Sequence, residues 1–252
     1  MSTETILSAM PSLSASDLAR AGSYVRDGRI LVVPTDTVYG IGCAADNPEA
    51  VAAVLAAKGR GRQMPPPVLV ASADAIDSLC VDVPDYARRL ARAFWPGGLT
   101  LILKARPDLG WDLGETGGTI GVRMPAQEAL LALLTDVGPM AVTSANPTGA
   151  PPATDAASAR AAFPGRVRSV DELAPDGEAA GADWREDILL LDGGATPGPV
   201  PSTIVTLAGE HARAPRILRQ GVLALADLER VAGVALSEGT AGAGRRRTGV
   251  GA

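Results

Sequence analysis

Residues 30–42 read ILVVPTDTVYGIG, from Ile30 to Gly42. The run Ile30 to Pro34 has the apolar, β-branched character of a buried strand. It ends in a proline and then presents the hydroxyls of Thr35 and Thr37 and the single carboxylate of Asp36. Gly40 and Gly42 permit close backbone approach to a ligand. Ligands gather where strands of such sheets end. Two readings stand side by side: a ligand loop, or a polar turn between two strands.

Working outward, a helix is expected from Ser14 or Ser16, with Leu18, Ala21 and Val25 on one face and Gly28 as its stop. Asn47-Pro48-Glu49 combines a cap, a first-turn proline and an acid at the positive helix end, so a second helix should run to Gly59. Pro67 to Ala71, Leu99 to Lys104, Thr119 to Met124 and Met140 to Thr143 read as strands. So do Ile188 to Leu191, Thr203 to Leu207 and Arg216 to Leu218. Further helices are expected over 85–94, 126–136, 155–163 and 223–231. Arg88, Arg89 and Arg92 are placed on the wet face of the first of these. Strands and helices intermix without strict alternation. The fold class is therefore α/β, an open twisted mixed sheet flanked by helices. Residues 1–13 read as a leader and 14–236 as one domain. A surface insertion rich in alanine, glycine and acids spans about 164–186, and a tail without apolar periodicity spans 237–252.

The chain has 252 residues, 46% hydrophobic and 20% charged, enough to bury a core without metal or disulfide staples. Its net charge of −5 argues against bulk coating of nucleic acid. Aromatics at 3% exclude rows of stacking rings for single strands. Cys43, Cys80 and the single His211 do not make a zinc site, and a reduced thiol pair is expected. With no apolar run of membrane-spanning length and no secretory signal at the start, the expected location is cytoplasmic, with no membrane partner.

Three further stretches bear chemistry. Lys58-Gly59-Arg60-Gly61-Arg62 holds three cations, and no acid occurs between Glu49 and Asp74. They are either ordinary charges at the negative end of a helix or a phosphate clamp. Thr143-Ser144-Ala145-Asn146-Pro147-Thr148-Gly149 follows a strand, and its Ser and Asn can cap a turn or hydrogen-bond a ligand. Arg123 puts a charge inside the apolar strand TIGVRM, so it needs solvent or a partner, and a ligand carboxylate would serve. GxSxG is absent, no second histidine is present, and the single His211 reads as a surface residue in a Gly/Glu/Ala turn, which argues against a hydrolase triad. GxxxxGK[ST] is absent too, so no Walker loop is present.

In order, PTDTVYGIG, KGRGR, FWPGGLTLIL, TIGVRMP, TSANPTG, PSTIV and ILRQG resemble the YrdC-like family of threonylcarbamoyl-AMP synthases. The resemblance covers residues 30–221, about three quarters of the chain. It implies a YrdC-like fold with a basic concave face. The implied reaction forms threonylcarbamoyl-AMP and pyrophosphate from L-threonine, bicarbonate and ATP, with Mg2+ on the ATP. A separate transferase complex would then modify the adenosine next to the anticodon of tRNA, with a weak tRNA contact possible for the synthase itself. By resemblance, Lys58 and Arg60 are the catalytic K-x-R pair on the nucleotide phosphates. Thr119, Asn146, Thr154 and Arg219 fall on the ATP side. Thr37, Arg123, Ser144 and Ser202 fall on the threonine side. No protein metal ligand is implied.

The chain departs from the family at Met64-Pro65-Pro66 and at Leu69, where relatives carry Asn or Lys and, in some, histidine. Those contacts are not carried over. Residues 222–252 are too short for the C-terminal domain of longer relatives, so a single-domain form is expected. An RNA-binding module and a weakly active paralogue are the alternatives.

Overall fold

In the computed structural model, residues 13–172 and 187–238 are described. The expectations for 1–12, for 173–186 and for the tail from 239 lie outside them.

The first helix, α1 (Ala15–Arg26), begins at Ser14, whose side chain accepts from the Asp17 amide while Asp17 reaches back to the Ser14 amide. This reciprocal cap settles the start at Ser14. β1 (Ile30–Val33) follows and is buried along its whole length. Successive side chains of a strand point to opposite faces. Ile30 and Val32 enter one hydrophobic cluster, while Leu31 and Val33 enter a second. β1 therefore lies between two covering layers, which is why it reads as a continuous apolar run.

β2 (Gly40–Ala44) returns antiparallel to β1. A Cβ at Gly42 would sit 2.6 Å from the Ala141 carbonyl oxygen, and one at Gly40 would sit 2.6 Å from a Val142 methyl. The close approach that these glycines permit is that of a neighbouring strand.

α2 (Pro48–Ala57) carries the expected Asn47 cap and ends with Lys58 as its C-cap and Gly59 at φ +60°. β3 (Val68–Leu69) is shorter than the expected 67–71. α3 (Ala75–Leu79) and β4 (Cys80–Val81) come next and have no counterpart in the sequence reading. α4 (Asp85–Phe94) matches its expected span. Arg89 of α4 donates to the carbonyls of Val231 and Ala232, so it is bonded rather than simply solvated.

β5 (Leu99–Ala105), β6 (Thr119–Arg123), α5 (Glu128–Val137), β7 (Met140–Ser144) and α6 (Ala156–Ala162) follow near their expected positions. β8 (Val167–Ser169) pairs in parallel with β9 (Ile188–Leu190), so the first part of the expected surface insertion is an edge strand of the sheet. The chain then forms β10 (Thr203–Thr206), β11 (Arg216–Arg219), α7 (Leu225–Ala232) and β12 (Ser237–Glu238). β12 pairs with β11, so residues 237 and 238 are strand where a structureless tail was expected.

The sheet runs β12-β11-β10-β5-β6-β3-β7-β2-β1-β9-β8, with β4 on β5, and mixes parallel and antiparallel pairs as expected. On one face, side chains of α2, α3, α4, α6 and α7 build the larger core cluster. On the other, α1 and α5 cover β1, β3, β7 and β9 through Tyr24, Val25, Leu130, Leu133 and Leu134. No side chain of β5, β6, β10 or β11 joins this second cluster. That half of the face carries the cleft described next. Cys43 and Cys80 are both free and buried, and burial pushes each thiol up to about 12. Among the described residues no helix is long and apolar enough to cross a membrane.

Candidate active site

Alternation aims the cleft side chains. On β5, Leu99, Leu101 and Leu103 enter the core, leaving Thr100 and Ile102 on the cleft side. On β6, Ile120 and Val122 enter the core, leaving Thr119, Gly121 and Arg123. β11 breaks the rule. It shifts register against β10, so that Val205 pairs with Ile217 but Ile204 pairs with Arg219. The extra residue, Leu218, is a bulge. It turns Arg219 to the same side as Ile204, and both line the cleft.

The ILVVPTDTVYGIG stretch proves to be turn and cleft wall together. Thr35 Oγ1 donates to the Val38 carbonyl at 2.7 Å and accepts from the Thr37 amide at 3.1 Å. A hydroxyl has one proton to give, so Thr37 donates in the 3.0 Å contact between the two hydroxyls. Thr37 Oγ1 then accepts from Arg123 Nη1 at 3.2 Å. Arg123 Nη2 meets Asp36 Oδ1 at 2.7 Å, and Nε donates to the Gly97 carbonyl at 2.9 Å. The ion pair is buried, with side chains 7% and 5% exposed. The charge on β6 thus has an internal partner in Asp36. Of its five N–H donors, one on each terminal nitrogen remains for a ligand.

The second cation is Arg60, which lines the cleft and donates from Nη1 to Thr143 Oγ1 at 2.9 Å. Burial lowers its pKa, and its Nε is buried without an acceptor. The third is Arg219, which donates to the Ser202 carbonyl from Nε at 3.1 Å and from Nη2 at 2.9 Å, and to Ser202 Oγ at 3.0 Å. Burial first, then the charges of Arg123 and Arg60, lower it to about 10. Ser202 Oγ also lies 2.9 Å from Thr100 Oγ1.

Lys58 takes a different place. It is buried, and its ammonium donates to the carbonyls of Ser144 and Asn146 rather than into the cleft. Burial, with the neighbouring Arg60 charge, lowers it to about 8. Asn146 Nδ2 is held by the carbonyls of Pro147 and Ala150, while its Oδ1 is buried without a donor.

Of the residues singled out from sequence, Thr37, Arg60, Thr119, Arg123, Ser144, Ser202 and Arg219 meet on one cleft wall. Lys58 and Asn146 are not on that wall and are bonded to one another behind Ser144. Thr154 is also off it, its carbonyl bonded to Thr196 beside the start of α6. Asp36 had no role assigned from sequence. Thr100 was also missed, although it is the only polar residue before Lys104 in the strand LTLILK. The wall holds three guanidiniums and a series of hydroxyls, and no Asp or Glu is among its lining residues. Such a surface suits a multiply charged anion and a carboxylate.

The family model for Sua5/YciO/YrdC, described as telomere recombination, matches residues 23–221. The chain belongs to this family. A relative from Mycobacterium tuberculosis, named "Putative threonylcarbamoyl-AMP synthase", is 42% identical over 92% of this chain and 96% of its own length. The threonylcarbamoyl-AMP synthase of Bacillus subtilis is 35% identical over 76% of this chain and 58% of its own. Among solved structures, Pyrococcus abyssi Sua5 complexed with L-threonine superposes with a TM-score of 0.73 at 32% identity, covering 87% of this chain and 58% of that one. Escherichia coli YciO, at 23% identity and a TM-score of 0.67, shares the fold.

Proposed function

We propose that the chain is an L-threonylcarbamoyladenylate synthase, a nucleotidyltransferase acting on ATP, L-threonine and bicarbonate. The observation that carries this reading is the convergence of Arg60, Arg123 and Arg219 on a hydroxyl-rich cleft wall without carboxylates. The names of the relatives and the threonine complex of the Pyrococcus structure support it.

In this reading Arg123, steadied by Asp36, takes the threonine carboxylate, with Thr37, Ser144 and Ser202 beside it. Arg60 and Arg219 face the nucleotide phosphates, with Thr119 nearby. Asn146 and Thr154 lie on the nucleotide side, set back from the wall. The threonine amine combines with bicarbonate, releasing water, to give a carbamate. A carbamate oxygen attacks the α-phosphorus of ATP, the bond to the β-phosphate oxygen breaks, and pyrophosphate leaves. Such a step draws mainly on positioning and on neutralising charge that builds on phosphate oxygens. Fixed guanidiniums in a partly dry cleft supply both.

Magnesium would arrive on the ATP. Among the described residues no group of three or more His, Cys, Asp or Glu side chains is placed to hold a metal. Phosphate oxygens and water would then be its ligands, and no step here is assigned to it. The product would pass to a tRNA-modifying transferase complex.

The test is pyrophosphate release from ATP with threonine and bicarbonate, and with each omitted in turn, with mass detection of threonylcarbamoyl-AMP under rapid quench. Release that depends on both supports the synthase. Folded protein that binds ATP and releases nothing overturns it. Salt-dependent tRNA binding in that case would favour an RNA-binding role.

A further inference from the structure

The position of Lys58 does not match that of a phosphate clamp. The residue is 3% exposed and absent from the cleft wall. Although it caps α2, its ammonium does not bond that helix's last carbonyls. It crosses to β7's end, where it donates to the main-chain oxygens of Ser144 and Asn146, the second at 2.5 Å. The Lys58 carbonyl accepts from the Thr148 amide at 2.9 Å. One residue therefore ties down three points of a single turn.

Two carbonyls separated by one residue converge on this buried cation. Without it the Asn146 carbonyl would lose its donor, while the Ser144 carbonyl would keep only the Asn146 amide at 2.9 Å, and an unsatisfied buried acceptor is costly. The turn so held carries Ser144, on the cleft wall, and Asn146, whose Oδ1 is buried and unpartnered. Arg60, two residues on, reaches the wall through Thr143, and its Nε is the other orphaned atom nearby. Both atoms are buried, and Asn146 is set back from the wall, so the shape of this turn decides whether a ligand group can reach them.

We infer that Lys58 is a positioning residue, which shapes the Ser144–Asn146 turn and acts on the ligand through it, leaving Arg60 as the member of the K-x-R pair that meets the phosphates. The identity of the ligand rests on the synthase reading. The dependence of the turn on Lys58 does not. The lowered pKa of Lys58 fits a dry cation held by neutral carbonyls.

The experiment is hydrogen–deuterium exchange across residues 140–150 of the ligand-free protein, as wild type, Lys58→Met and Lys58→Arg. ATP and L-threonine affinities are measured separately by calorimetry. In Lys58→Met the amides of Asn146 and Thr148 should exchange at least ~10-fold faster, with β1 and β5 unchanged. Affinities for both ligands should fall by similar factors, because Ser144 and Asn146 serve both. Lys58→Arg, which keeps the charge and the donors, should recover part of each loss and supplies the comparison if the Met variant does not fold. Unchanged exchange in the turn, with ATP affinity alone reduced, would make Lys58 a direct phosphate ligand and overturn the inference. A wild type without synthase turnover would sink the functional reading yet leave the exchange result standing.

Discussion

One face of the sheet has two halves built by different rules. Over β1, β3, β7 and β9 it carries Leu31, Val33, Met140 and Leu189, sealed under α1 and α5, with Leu69 and Val142 at the margin where they also line the cleft. Over β5, β6, β10 and β11 it carries Thr100, Thr119, Arg123 and Arg219, with Ser202 just before β10, and among the described residues the helices of the second cluster do not pack on it. The far face is apolar beneath both halves. The two halves therefore share a foundation and differ in what lies above. Stability is concentrated where the face is covered, and the bare half is free to hold charges close together.

Four substitutions test that division. The largest effect should come from Asp36→Ala, which removes the internal counter-ion and leaves the Arg123 guanidinium buried and unpaired, a loss of about 3–5 kcal/mol. Here the division fails in an informative way, because a bare-half residue would cost stability. Thermal unfolding measures it, and added L-threonine should raise the midpoint more in the variant than in wild type by returning a carboxylate to Arg123. An unchanged midpoint would show that the pair is not structural.

Arg60→Ala should lower pyrophosphate release by ~10²–10³-fold, the scale of losing one charged donor at a developing negative charge. Its midpoint should stay near wild type, since the head makes one protein bond. A turnover close to wild type would remove Arg60 from the chemistry.

Leu134→Ala, under α5, should do the reverse. A buried leucine truncated to alanine costs about 3 kcal/mol, and the KM for ATP should not move. A shift in KM would mean that packing under α5 is transmitted to the cleft through Leu69 and Val142, which touch both.

Ser14→Ala is the smallest. Losing the reciprocal cap of α1 should cost about 1 kcal/mol, visible in urea unfolding and silent in turnover.

How much of this could be read in advance follows the same division. The covered half was legible, because ILVV and the leucines of α5 announce burial by composition alone. α4, a helix with one clear apolar face, was placed at its true ends. The two-residue strands β4 and β12 show no period to read and owe their pairing to neighbours distant in sequence, while the apolar run at 67–71 announced β3 and only overstated its length. β8 hid in a stretch whose alanines and acids suggested an exposed loop.

At the site, residue types were legible and directions were not. Arg123 plainly needed a partner, but nothing local says that it is Asp36, 87 positions away. Lys58 and Arg60 look alike as neighbouring cations, yet one faces inward and one faces the cleft. Gly40 and Gly42 could have answered to a ligand or to a strand: both meet β7, and Gly40 lines the cleft as well.

The bulge at Leu218 carries one more consequence. With Leu218 present, Arg219 reaches the cleft through a one-residue miscount between β10 and β11, so its direction depends on the bulge being kept. Leu218 itself is 51% exposed, so exchanging it for another side chain should be tolerated. Deleting it would place Arg219 directly after Ile217, and strict alternation would keep the guanidinium opposite Ile204 on the cleft side. Straightening the strand with Leu218 retained is what would swing it toward the apolar core, so this arginine tolerates a shorter strand and not a flattened one.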